Sequence, residues 1–211
     1  PRSGAVSGNG NTIQCYSCKN ITIHNNYIYQ GETGVQMGGS ITSDRNISIA
    51  NNTLRQNNGM HFFNVSKLTV DHNDMQSIGT VYAQRLSIQS CDSIQISNNL
   101  VTSENWGDKT LDIYCQCSTP NYCYLYNNIF SSAPFWLPVA GADINADNID
   151  IINNSFGHGL YLYTSNNLTF VNNLVRSNGD AAIEISSPSF FSTFNNNLYQ
   201  SVGSPLNLIN N

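Results

Sequence analysis

Eight segments of this 211-residue chain follow one pattern: apolar, any, apolar, any, Asn, Asn, any, apolar. The first is Ile21-Thr22-Ile23-His24-Asn25-Asn26-Tyr27-Ile28. The pairs recur at Asn51-Asn52, His72-Asn73 (His replacing the first Asn), Asn98-Asn99, Asn127-Asn128, Asn153-Asn154, Asn172-Asn173 and Asn195-Asn196. The second Asn returns after 26, 21, 26, 29, 26, 19 and 23 residues, a period in the solenoid range. A ninth copy begins at Leu206-Asn207-Leu208 and runs to Asn211. Residues 1–211 therefore read as a single domain that is mature, trimmed or part of a longer solenoid.

Alternating apolar and polar residues give a strand with one buried face. Each repeat holds two such strands. One precedes the Asn pair. The other lies upstream: Ile13-Gln14-Cys15, Val35-Gln36-Met37, Met60-His61-Phe62, Leu86-Ser87-Ile88, Leu111-Asp112-Ile113, Ala142-Asp143-Ile144, Leu160-Tyr161-Leu162 and Ile183-Glu184-Ile185. A third short strand follows the pair. The expected architecture is all-β: a parallel β-helix of about eight to nine coils, three short strands per coil. A leucine-rich repeat would need a Leu-rich consensus, and a propeller about 40 residues per blade. Asn suits the corner twice over. It tolerates the left-handed backbone of a sharp turn, and an inward Asn in each coil can bond its amide to the next, satisfying polar groups that burial would orphan.

With these repeats the chain, from residue 12 to 211, resembles the right-handed parallel β-helix repeat proteins, the pectate-lyase-like superfamily. The resemblance implies a secreted or cell-surface protein and a polysaccharide partner: a lyase or hydrolase acting on an extended glycan. It also admits a non-catalytic adhesin, spike or filament-forming solenoid. Fold alone does not choose between them.

Composition narrows the partners. Eight Lys and Arg against 13 Asp and Glu leave no basic footprint for nucleic acid. No run of 18 apolar residues occurs, so no membrane span is expected. Open strand edges without an amphipathic capping helix favour end-to-end self-association. Six cysteines, an even number, suggest disulfides and an oxidising compartment. Cys91 and the Cys115/Cys117 pair fall at one corner in successive coils, so a bridge from Cys91 to Cys115 or Cys117 is expected, with the remaining one meeting Cys123. Cys15 and Cys18 would close a local loop, or Cys15 is a core thiol. Zinc ligation by these spacings is the rival reading. Sequons occur at Asn20, Asn46, Asn51, Asn64, Asn153 and Asn167, and Asn51 and Asn153, as corner residues, are expected to be buried.

Outward residues of each strand form ladders along a solenoid. On the second strand the rungs are Thr22, Ser48, Thr69, Gln95, Tyr124, Asp150, Thr169 and Ser192, a bland set. The first strand carries Gln14, Gln36, His61, Ser87, Asp112, Asp143, Tyr161 and Glu184. Three carboxylates, a His and a Tyr on one stripe of a chain only 10% charged make it the candidate site. Asp112 and Asp143, on adjacent rungs about 5 Å apart, have the spacing of a glycosidase carboxylate pair. Like charges so close raise one pKa and supply a proton donor. The same pair could hold Ca²⁺, the one cofactor the sequence suggests, if it has any. Glu184, His61 and Tyr161 would flank them, Lys109 and Arg85 are further candidate bases, and Ser87 and Gln36 would touch substrate. Trp106 and Trp136, in two insertions, are candidate sugar-stacking residues. Solvated decoration of an exposed strand explains the stripe as well. Gly157-His158-Gly159-Leu160 and Asp71-His72-Asn73-Asp74 are weaker candidates, the latter also readable as a hydrogen-bonded turn.

Overall fold

The computed structural model describes residues 10–29, 31, 33–39, 44–56, 58–77, 84–103, 109–116, 122–132, 141–163, 166–177, 181–186, 191–202 and 204–208. Every regular element among them is a strand, and the strands fall into three parallel sheets. The first sheet has nine strands, from Asn11–Tyr16 through Thr33–Gly38, Asn58–Phe63, Gln84–Gln89, Lys109–Gln116, Ala142–Asp147, Leu160–Leu162 and Ala181–Ile185 to Ser204–Leu208. The second has eight, from Lys19–His24 to Phe191–Asn195, and the third eight, from Tyr27–Tyr29 to Leu198–Gln200. Each of the first eight coils adds one strand to each sheet, as the repeat predicts; Leu206-Asn207-Leu208, expected as a ninth copy of the corner motif, is instead the ninth strand of the first sheet, in register with Ile183-Glu184-Ile185.

The inward residues stack by kind along the axis. Val35, Met60, Leu86, Leu111, Ala142, Leu160 and Ile183 are register partners from coil to coil and are all but inaccessible. Each of the larger ones contributes about 1.5–3 kcal/mol by burial. Phe130 stacks on Phe156 at 5.4 Å in the same manner. A solenoid thus builds one long core from local neighbours.

The two Asn of the motif divide the corner between them. The first takes the left-handed backbone: Asn25, Asn51, His72, Asn98, Asn127, Asn153, Asn172 and Asn196 have φ of 51–59°. The second points inward. Asn26, Asn52, Asn73, Asn99, Asn128, Asn154, Asn173 and Asn197 form an unbroken ladder, each Nδ2 donating to the next Oδ1 at 2.9–3.2 Å. Each backbone N–H donates to the same oxygen at 2.8–3.0 Å. The six middle rungs are buried.

Three expectations are corrected here. In the last coil the corner pair is Asn196-Asn197, not Asn195-Asn196. A register shift between Leu168 and Thr169 slides the strand by one residue, so Thr193 rather than Ser192 faces Thr169. Asn51 and Asn153 are exposed, because the inward place belongs to the second Asn. Cys91 and Cys115 are free buried thiols, not a bridge. Their sulfurs act instead as inward acceptors: Val65 N–H donates to Cys91 Sγ and Cys91 N–H to Cys115 Sγ, both at 3.4 Å. The contact with Cys91 and burial push the Cys115 thiol far above its ordinary pKa. Cys15 and Cys18 are bridged, with Cα atoms 6.2 Å apart. Cys123 is disulfide-bonded, and Cys117 lies outside the described residues.

Candidate functional site

The first sheet aligns the predicted stripe rung by rung. Gln14 faces Gln36, Gln36 faces His61, and the column continues through Ser87, Asp112, Asp143, Tyr161 and Glu184 to Asn207. From Gln36 to Glu184 the inward neighbours are locked in the core, so these residues must face out. They are not equally open. Ser87 is 3% exposed, and Gln89 lays its amide nitrogen 3.4 Å from the Ser87 hydroxyl. Ser87 is therefore not an open contact point for substrate. Arg85, at 1% exposed, is buried and is excluded as a surface base.

The chemistry gathers beyond Ser87. Lys109, at the start of the strand Lys109–Gln116, swings its ammonium over the stripe. It lies 3.7 Å from the Asp112 carboxylate and is ion-paired with Asp143 on the next coil. Only 15% of either Asp side chain is accessible. Burial raises the Asp112 pKa, Lys109 pulls it back, and the neighbouring Asp143 charge raises it again, for a net upward shift. Lys109 is lowered by burial and raised more strongly by its two carboxylates, so it stays an ammonium. Burial, with Glu184 next in effect, raises Tyr161; burial and Asp143 raise Tyr163. Both remain phenols. Their rings stack at 6.2 Å. His61, two rungs from Asp112, bears on its charge.

The other candidates fall elsewhere. Trp106 and Trp136 lie outside the described residues. His158 is buried, so the Gly157-His158-Gly159 segment presents no imidazole to a groove. The Asp71 corner is a hydrogen-bond knot. Asp71 accepts from Ser97 Oγ at 2.6 Å and Asn98 Nδ2 at 2.9 Å and contacts His72 Nδ1 at 2.7 Å, while Asp74 pairs with Arg55 at 2.6 Å. Among the described residues no group of three or more His, Cys, Asp or Glu is disposed to hold a metal. At Asp112 and Asp143 the Lys109 ammonium already occupies the ground between the carboxylates. Nor is any helix among them long and apolar enough to cross a membrane.

Sequence reasoning missed two features. One is Lys109 as the bridge. The other is an open depression of about 350 Å³ on the second sheet, lined by Lys67, Thr69, Ser93, Gln95, Tyr122 and Tyr124. It is on a different face from the carboxylates and holds none of their chemistry, so the Lys109 cluster remains the candidate site.

The right-handed β-helix region family matches residues 5–136 and again 80–211, between them nearly the whole chain. No curated protein and no solved structure matches significantly. The chain belongs to the right-handed β-helix family.

Proposed function

We propose that this right-handed β-helix is a secreted glycan-binding protein whose first-sheet stripe takes an extended polysaccharide, with hydrolase chemistry at Asp112 and Asp143. The observation that carries the reading is the Lys109 bridge: two carboxylates from adjacent coils are held on an outward face with one ammonium between them. An Asp with a raised pKa is suited to donate a proton to a glycosidic oxygen. Asp143, paired with the ammonium, is suited to act as the anionic partner, as base toward water or as nucleophile. Tyr161 and Glu184 supply hydrogen bonds to sugar hydroxyls. A lyase is supported less well, since elimination needs an unprotonated base and Lys109, Tyr161 and Tyr163 are all shifted toward their protonated forms. The Cys15–Cys18 bridge supports an oxidising, extracellular location.

A second reading has its own support. An ion-paired Lys–Asp–Asp group on unbroken parallel sheets is also what a structural solenoid would carry to neutralise neighbouring carboxylates. In that reading the protein is an adhesin or spike segment, stacking end to end. The test is a panel of soluble neutral and acidic polysaccharides, read for reducing ends, unsaturated ends and binding, with wild type, Asp112→Asn and Asp143→Asn. Reducing ends lost in both variants support the hydrolase. Binding without cleavage, unchanged by the substitutions, moves the assignment to a non-catalytic glycan receptor. Neither binding nor cleavage favours the structural solenoid.

A further inference from the structure

Two residues beyond each rung of the acidic stripe lies a second outward column. Tyr16 faces Gly38, Gly38 faces Phe63, Phe63 faces Gln89, Gln89 faces Tyr114, and Tyr114 faces Asn145. The next two coils place Tyr163 and Ser186 in the same column, one residue past Leu162 and Ile185. Aromatic and non-aromatic residues alternate strictly: Tyr16, Phe63, Tyr114 and Tyr163 on every second coil, and Gly38, Gln89, Asn145 and Ser186 between them.

Strand propensity does not produce this. Aromatic residues stabilise a sheet best as neighbours across adjacent strands, whereas no two rings of this column sit on adjacent coils, and Tyr16 and Phe63 meet only across the intervening Gly38. Nor are the rings buried in the core: Tyr16 is 49%, Tyr114 55% and Tyr163 43% exposed. Neighbouring strands lie about 4.8 Å apart, so side chains on alternate coils repeat at about 10 Å. One coil matches the length of a pyranose unit in an extended chain, and two coils match a disaccharide. In an equatorially linked polymer with two-fold ribbon geometry, alternate sugars present the same face. Gln89 and Asn145, between the rings, would meet the sugars turned the other way. At one end the Phe63 ring lies across Gly38, where a Cβ would overlap it, and meets Tyr16 at 6.0 Å, making one tilted platform. Tyr114 and Tyr163 bracket the coil that carries Asp143.

We infer that this column is a row of stacking subsites for an equatorially linked, ribbon-like pyranose polymer lying along the solenoid axis, one ring to every second sugar. The inference rests on the glycan reading above and names the polymer class for that same face.

The test uses the full chain with hydroxyethyl cellulose and glucomannan as equatorially linked probes, and soluble starch dextrins and polygalacturonate as axially linked ones. A chain-length series of cello-oligosaccharides accompanies them. Tyr114→Ala and Tyr163→Ala are compared with Tyr27→Ala on the third sheet and Tyr124→Ala on the second. Tyr114→Phe and Tyr163→Phe keep the ring and control for folding. The expected result is preference for the equatorial polymers and affinity rising with every second sugar added. The two first-sheet Ala variants should lose about ten-fold or more, while the Phe and control variants stay near wild type. The inference is overturned if wild type binds an equatorial polymer that Tyr114→Ala and Tyr163→Ala bind as well, if affinity climbs evenly with each sugar, or if the axial polymers are preferred. Binding of no polysaccharide at all would remove the glycan reading itself.

Discussion

Removing one middle rung of the Asn ladder should cost far more than removing an end rung or a corner residue. Asn99 is 1% exposed. Its Nδ2 is within hydrogen-bonding distance of Asn128 Oδ1 at 3.0 Å and of the Val70 and Ser97 carbonyls at 2.8 Å each. Its Oδ1 accepts from Asn73 N at 2.9 Å and Asn73 Nδ2 at 3.0 Å. Asn99→Ala leaves the Asn73 backbone N–H without its acceptor and weakens three buried carbonyl groups. A buried donor left unsatisfied costs about 1–3 kcal/mol, and the small cavity about 1 kcal/mol more, so a loss of about 2–4 kcal/mol is expected. Asn127 is exposed with φ 56° and serves the turn by its backbone; Asn127→Ala should cost about 1–2 kcal/mol and Asn127→Gly almost nothing. Asn26, the first rung and exposed, should fall between. Urea unfolding followed by far-ultraviolet circular dichroism and tyrosine fluorescence ranks the four variants. Asn99→Ala no worse than Asn127→Ala would refute the ladder as a source of stability.

Three further outcomes follow from the charges and thiols. Asp71 is desolvated, which raises its pKa, but hydrogen bonds from Ser97, His72 and Asn98 outweigh this and lower it below 3.8. Its contribution to stability is therefore present above that value and lost as pH falls through the lower folded value; Asp71→Asn should flatten the acid limb of a pH–stability curve. Lys109→Met removes the ammonium between two carboxylates and lifts the Asp112 pKa further. Because a raised acid pKa favours the folded state at low pH, the deficit of this variant in thermal melts should be largest near neutrality and shrink below pH 4, and the wild-type loss of stability at alkaline pH as Lys109 deprotonates should disappear. Cys91 and Cys115 should resist a thiol reagent in the folded protein and react once it is unfolded in urea, as mapped by peptide mass spectrometry; labelling of either in the native state would contradict their burial.

The coil architecture and the composition of the stripe were legible because alternation allows only one face outward and one rung per coil. Gln36, His61, Asp112, Asp143, Tyr161 and Glu184 therefore align as read. The last coil was misread because Asn195, Asn196 and Asn197 offer two equally good pairs, and only the bulge opposite Leu168 decides between them. The Lys109 bridge was hidden because Lys109 has the parity of an inward residue; its position at the strand's first residue lets it turn out. The Cys91–Cys115 pairing was right in register and wrong in chemistry, since sequence spacing does not distinguish a bridge from two thiols filling an inner corner. The alternating aromatic column was open to view: counting two residues on from each rung reveals it.

Hydroxyl-radical footprinting with and without a saturating polysaccharide tests the central claim most directly. The account predicts protection of Tyr114 and Tyr163 on the first sheet, with Tyr122 and Tyr124 on the second and Tyr27 and Tyr29 on the third unchanged. Protection confined to the second or third sheet, or to none of these tyrosines in a sample that binds the polymer, would contradict a glycan laid along the Lys109–Asp112–Asp143 face.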